Sequence, residues 1–138
     1  MTAPGCLFCA IAAGETPASV VLRDDDVVAF LDARPVFKGH ALVVPRAHWA
    51  TLSDVPAADL GTLFAAVQRV ARAVEAGLGA DGTFVAMNNK VSQSVPHLHV
   101  HVVPRKKKDG LRGFFWPRVT YADDAEREGY AARIRAAL

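Results

Sequence analysis

The stretch that decides the fold is His97-Leu98-His99-Val100-His101-Val102-Val103. Polar and apolar residues alternate along it, and successive side chains on a strand point to opposite faces. The spacing therefore predicts a β-strand over 98–103, with Pro104 stopping it. The imidazoles of His97, His99 and His101 fall on one face, roughly 7 Å apart between neighbours. Leu98, Val100 and Val102 fall on the other and can enter a core. That apolar face fixes the register, so the histidines are presented as a row.

Working outward, the sequence supplies further elements. A short helical piece around Cys9–Ala13 ends at Gly14. Ser19–Arg23 and Val27–Leu31 are β-rich runs separated by Asp24-Asp25-Asp26, the pattern of a hairpin. The segment 33–39 is a loop, and His40–Val44 is a third strand ended by Pro45. The clearest helix is Ala57–Glu75, where Leu60, Leu63, Phe64, Val67, Val70, Ala71 and Val74 recur at helical spacing. Pro56 suits its first turn, Asp54 is a candidate cap, and Gly77 and Gly79 end it. Thr83–Met87 is a fourth strand, the histidine run a fifth, and the alanine-rich 123–138 a C-terminal helix. The leucine and valine stripe of the long helix is core. This order predicts an α+β domain: an antiparallel five-stranded sheet, with the helices on one face.

The bulk numbers exclude several classes. The chain has 138 residues and is expected to be one domain, large enough to fold without disulfides. A formal net charge of +2 is too small to mark a nucleic-acid binder but accommodates a small anionic substrate. No apolar run approaches the roughly 20 residues that span a bilayer. The start MTAPGCLFCA has neither the charged nor the apolar segment of a secretory leader, so the expected location is the cytoplasm, with no membrane partner. Arg105-Lys106-Lys107-Lys108 reads as a solvated loop, and His40 as a packing or hydrogen-bonding residue.

Two chemistries suit a row of histidines. One is an open metal site. The other is nucleophilic catalysis on phosphorus, since neutral imidazole is available near pH 7 and can form a covalent intermediate that water resolves. The second needs polar groups for the phosphate oxygens and a proton for the leaving group. Ser92-Gln93-Ser94-Val95-Pro96, directly upstream, supplies hydroxyls, a carboxamide and backbone amides.

The stretch 93–105, QSVPHLHVHVVPR, resembles the signature of the histidine triad (HIT) superfamily. Gly39-His40-Ala41-Leu42-Val43-Val44-Pro45-Arg46-Ala47-His48 is similar to that family too, as is the spacing of Phe30, Leu31 and Asp32 ahead of it. The resemblance covers about residues 6 to 105. The segment 106–138 is similar to the extension of longer bacterial members. The resemblance implies a five-stranded antiparallel sheet with two helices, usually as a homodimer, and a purine nucleotide as substrate. His99 would be the nucleophile, His101 would contact the phosphate and help the leaving group, and Ser94 and Gln93 would bind phosphate oxygens or the leaving group. Asp32 would receive the ribose hydroxyls, and Leu7, Phe8, Phe30, Leu31 and Ala33 would line the base slot. Asn88 would sit beside the α-phosphate or ribose, with Asn89 an alternative for that role. The loop from Asn88 to Ser92 is shorter than in many relatives, and Ser92 stands where glycine is common. The tail adds Phe114, Phe115 and Trp116 and a basic patch.

Cys6-Leu7-Phe8-Cys9 has the two-residue spacing of a zinc half-site. His48 and His97 complete a Cys2His2 set, the combination found in some relatives, so structural Zn2+ is expected at Cys6, Cys9, His48 and His97. In that case His97 is neither acid nor base. The implied activity is hydrolysis or transfer at the α-phosphate of nucleoside 5′-phosphoramidates or related nucleotides through a nucleotidylated His99. Dinucleoside polyphosphate hydrolysis is the alternative within the family. A non-catalytic nucleotide-binding regulator and a metal-dependent hydrolase built on the histidine row are the alternatives outside it.

Overall fold

The structure is a computed structural model that describes residues 2–111 and 119–138. Phe114, Phe115 and Trp116 lie outside the described residues. The element order is α1 (Leu7–Ala13), β1 (Val20–Arg23), β2 (Val27–Leu31), β3 (Ala41–Pro45), α2 (Ala57–Leu78), β4 (Gly82–Ala86), β5 (Val100–Arg105) and α3 (Asp124–Arg135). The five strands form one antiparallel sheet in the order β1-β2-β3-β5-β4. The α+β class, the five-stranded antiparallel sheet, the long helix and the C-terminal helix are as expected from the sequence. Two compact units divide the chain, 1–107 and 108–138. The second carries α3, capped by the Asp123 side chain on the Glu126 amide.

Strand parity sorts the core. Val27 and Ala29 of β2, Ala41 and Val43 of β3, and Leu98, Val100 and Val102 pack against Leu63, Val67, Val70 and Val74 of α2. Their neighbours in sequence, Val28, Phe30, Leu42 and Val44, pack against Phe8, Ile11 and Ala12 of α1. The helices are therefore not on one face, as the sequence reading had them: α1 covers the face opposite α2. Its seven residues carry too short an apolar pattern to reveal which side they cover. Gly14 ends α1 in the left-handed conformation, and Arg23 Nη1 donates to the Ala12 carbonyl at 2.6 Å, tying the hairpin to that helix end.

Several boundaries differ from expectation for identifiable reasons. Asp54 does not cap α2. Its carboxylate accepts from the Thr51 amide and hydroxyl, both at 2.8 Å, in a short 3-10 turn over Leu52–Asp54, and those two bonds hold its pKa below the usual carboxylate value. Helix α2 runs on through Gly77 to Leu78 and stops at Gly79, whose φ is 61° and whose carbonyl accepts from Lys106 Nζ at 2.6 Å. Phe64 is 39% exposed, outside the buried stripe. Strand β5 starts at Val100 rather than Leu98, because the Leu98 amide donates to the Trp49 carbonyl at 2.7 Å instead of joining the ladder. No helix among the described residues is long and apolar enough to cross a membrane.

Candidate active site and metal cluster

The face covered by α1 also carries the histidines. Leu98, Val100 and Val102 are fully buried toward α2, so the alternate residues must point to the other side. His97 and His99 are buried there too, and His101 is partly buried. Phe8 packs edge-on against His99 with centroids 5.0 Å apart and against Phe30 at 5.4 Å. The His99 and His101 rings lie 5.0 Å apart.

The three histidines have different partners, and these set their protonation. His99 Nδ1 lies 2.7 Å from the His97 carbonyl. A carbonyl only accepts, so Nδ1 carries the hydrogen and the neutral ring keeps its lone pair on Nε2. No group among the described residues hydrogen-bonds that Nε2. Every fully buried polar side-chain atom among them has a partner, so Nε2 reaches the surface.

His101 is set the opposite way. The Val36 amide donates to His40 Nδ1 at 3.1 Å. His40 must then carry its hydrogen on Nε2, which donates to His101 Nδ1 at 2.9 Å. His101 is left with its hydrogen on Nε2. Burial, reinforced by the His99 and His40 rings, pushes its pKa down to about 4, and burial likewise lowers that of His40 against the pull of Asp32. With both rings neutral, these tautomers put a bare nitrogen on His99 beside an N–H on His101. That combination suits attack by one ring and hydrogen-bond donation by the other.

His40, expected from the sequence to pack or hydrogen-bond, does both. Gly39 places it: φ there is 96°, and a Cβ would run into the Leu78 side chain. His40 shares strand parity with Leu42, which pairs with His101. Asp32 Oδ2 lies 3.8 Å from His40 Nε2, and Asp32 Oδ1 accepts from the Arg34 amide at 2.8 Å. Asp32, His40 and His101 have a donor atom each within 4.8 Å of one another. They are nevertheless a poor metal set, because His40 Nε2 bears hydrogen while Nδ1 serves the Val36 amide.

The remaining expected residues divide. Ser94 is exposed in a cleft with Cys6, Leu7, His48 and Pro96. Leu7 is 49% exposed and Ala33 is exposed. Leu31 points away from Phe30 and lines a groove against Val70, Val74 and Leu78 on the α2 side. Gln93 is occupied by the backbone: Nε2 donates to the Ala50 carbonyl at 2.6 Å, and Oε1 accepts from the Lys90 amide at 2.8 Å. Asn89 Oδ1 accepts from the Leu52 amide at 2.7 Å, whereas Asn88 is exposed and donates to the Ser92 carbonyl at 3.2 Å. The short loop turns through left-handed conformations at Lys90 and Ser92, with φ of 69° and 58°.

His97 belongs to a second cluster. Its Nδ1 lies 3.4 Å from Cys6 Sγ, 3.5 Å from Cys9 Sγ and 3.2 Å from His48 Nδ1, and Cys9 Sγ lies 3.4 Å from His48 Nδ1. A tetrahedral zinc with ordinary bond lengths has edges of about 3.3 Å between nitrogens and about 3.6 Å between nitrogen and sulfur. Those four separations match the edges. His97 Nε2 lies 2.8 Å from the Pro45 carbonyl, which puts the hydrogen there and turns the Nδ1 lone pair to the cluster. Burial holds the ring neutral by lowering its pKa to about 4, and burial raises that of Cys9. The row is therefore not one open metal site: His97 faces two sulfurs, and His101 faces His40.

The HIT domain family matches residues 13–108. The chain belongs to that family. It is 40% identical over 138 residues to an uncharacterised HIT-like protein of Mycobacterium tuberculosis, covering 96% of this chain and 92% of that one. The crystal structure of a HIT family member from Bacillus subtilis superposes with a TM-score of 0.86 at 34% identity, covering 97% of both chains. A zinc-bound histidine triad protein from Mycobacterium smegmatis superposes with a TM-score of 0.74 at 36% identity, covering 97% of this chain and 98% of that one. Enzymes of nucleotide hydrolysis occur among HIT relatives. Two from Schizosaccharomyces pombe, each 32% identical, are an adenosine 5′-monophosphoramidase (81% of this chain, 83% of that one) and an asymmetrical bis(5′-nucleosyl)-tetraphosphatase (85% and 63%). A third, an adenylylsulfatase from Arabidopsis thaliana, is also 32% identical (77% and 55%).

Proposed function

We propose that this HIT protein hydrolyses or transfers the nucleotidyl group of nucleoside 5′-phosphoramidates or related purine nucleotides through a covalent intermediate on His99. The observation that carries the reading is the tautomer of His99, whose Nδ1 is committed to the His97 carbonyl while Nε2 is open. Nε2 attacks the α-phosphorus, the bond to the leaving group breaks, and the ring becomes cationic. The His97 carbonyl then faces a charged N–H, a stronger hydrogen bond than the neutral one it accepted before. His101 hydrogen-bonds through its Nε2–H to the departing group, which leaves with the bonding electrons and takes its proton from solvent. Water then attacks the same phosphorus, loses a proton to solvent, breaks the bond to Nε2, frees the mononucleotide and returns His99 to its neutral form. Ser94 serves the phosphate oxygens, Asp32 the ribose, Asn88 the nearby backbone of the nucleotide, and Phe8 and Phe30 form the floor beneath the base, with Leu7 and Ala33 at its rim. Gln93 acts by holding the loop rather than by touching the nucleotide.

Cys6, Cys9, His48 and His97 are read as a structural zinc site. Bound there, the ion would tie the N-terminal segment to the histidine strand; it would supply no step of the chemistry. The assembly proposed is a homodimer in the cytoplasm, and light scattering of the purified protein reports its mass.

The deciding experiment is single turnover with a radiolabelled adenosine 5′-phosphoramidate, quenched and mapped. An acid-labile adduct on the peptide holding His99, absent from His99→Ala, is expected, with nucleotide binding retained in the variant. Unchanged turnover in His99→Ala would end the proposal.

A further inference from the structure

We infer that Cys6 and Cys9 are a redox-active pair, which a two-electron oxidant of the peroxide class closes into an intramolecular disulfide with ejection of the bound metal. The inference rests on the zinc reading of the cluster and adds a modification site to it. The two cysteines flank the first turn of α1, the spacing that redox dithiols use at a helix start. Cys6 is the residue before the helix, with extended backbone (φ −79°, ψ 117°), and its Sγ lies 3.5 Å from the Cys9 amide. The two sulfurs are within 4.8 Å of each other, so side-chain rotation has little distance to cover before a bond of about 2.05 Å can form.

Access is built in. Cys6 is half-buried and borders two clefts, of about 590 and 350 Å³. Cys9 is buried but lines the first of these and another cleft of about 420 Å³. A molecule the size of peroxide reaches Cys6 first. Cys9, too buried to meet another protein, is placed to resolve the product. In the first step the Cys6 thiolate takes an oxygen from peroxide, giving sulfenic acid and hydroxide. In the second the Cys9 thiolate, released from the metal, attacks that sulfur, the S–O bond breaks, and hydroxide leaves. The sulfurs lose two electrons and the peroxide gains them. A disulfide retains no thiolate for the metal, so two of four ligands are lost and the two neutral imidazoles alone hold the ion weakly.

The consequence reaches the neighbouring site through one residue. His97 is held by the cluster and by the Pro45 carbonyl, and its own carbonyl fixes His99. Release of the cluster removes the first of these anchors. The His97 carbonyl is then less firmly placed against His99 Nδ1.

The test adds stoichiometric hydrogen peroxide to zinc-loaded full-length protein. Zinc release is followed with a chromogenic chelator. The tryptic peptide running from the N-terminus to Arg23, which holds both cysteines, is weighed without reduction. One zinc released per chain, loss of two hydrogens in that peptide, and reversal of both by dithiothreitol are expected. Amides at 97–99 should also exchange faster in the oxidised protein. Retention of zinc and both thiols, oxygen gained at Cys6 without a cross-link, or a cross-link between chains would each overturn the inference. A protein that takes up no zinc fails the zinc reading instead, and the disulfide then stands or falls on the same mass change in metal-free protein.

Discussion

His101 should make the protein acid-sensitive by a calculable amount. Its pKa falls from the ordinary 6.5 to about 4 in the folded chain, chiefly through burial. The unfolded chain therefore holds more protons between those two values. Stability from this ring is fully present above about pH 6.5 and is lost as pH drops toward 4. With those two constants, lowering the pH from about 7 to about 5 costs about 2 kcal/mol. Urea unfolding at both pH values measures the cost, with His101→Asn as the comparison. The asparagine oxygen can take the hydrogen that His40 Nε2 donates to His101 Nδ1, so the variant keeps that contact while losing the titration. Other groups also respond in this window, His97 and His40 among them, so the quantity to read is the difference between the two proteins. The variant should lose about 2 kcal/mol less than the parent over that pH step. Equal losses, or a proton titration of His101 near 6.5 by NMR, would refute the reasoning that burial keeps His101 neutral in the folded chain.

Other outcomes follow from the packing. Leu98→Ala should destabilise by about 3–5 kcal/mol in urea unfolding with an unchanged slope, because Leu98 is fully buried against the α2 layer; a cost below about 1 kcal/mol would remove the anchor that sets the histidine register. Ser92→Gly should stabilise by about 1 kcal/mol, since a φ of 58° strains any residue with a Cβ; a loss of stability would point to a role for the Ser92 side chain. Gly39→Ala should cost about 2 kcal/mol or more, because a φ of 96° and the Leu78 side chain both oppose a Cβ; calorimetry showing an unchanged melting temperature would contradict the placement of His40.

Period and parity made much of this legible. The 3.6-residue recurrence along 57–74 marked the long helix, and the alternation at 98–103 placed three imidazoles on one face. Parity also separates Phe30 and Leu31, adjacent on β2: the first packs beside Phe8 and the second lines the groove on the α2 side. Other features depended on partners that no local pattern announces. The Leu98 amide turns to Trp49, which shortens β5, and the Gln93 carboxamide clasps the Ala50 carbonyl and the Lys90 amide.

His40 shows where single-sequence reading stops. It lies 61 residues from His101, and only the pairing of β3 with β5 brings the rings together. The motif states that three histidines stand in a row; it does not state what each can do. That is decided by the second nitrogen of each ring. Pro45 takes the hydrogen of His97 Nε2 and frees Nδ1 for two thiols. The His97 carbonyl takes the hydrogen of His99 Nδ1 and bares Nε2. His40, locked by a backbone amide, forces the hydrogen of His101 out to Nε2. Two backbone carbonyls and one backbone N–H thus turn three identical side chains into a candidate metal ligand, a candidate nucleophile and a donor. Substituting the triad residues alone therefore tests only half of the arrangement; the other half lies in backbone groups that alanine scanning leaves in place.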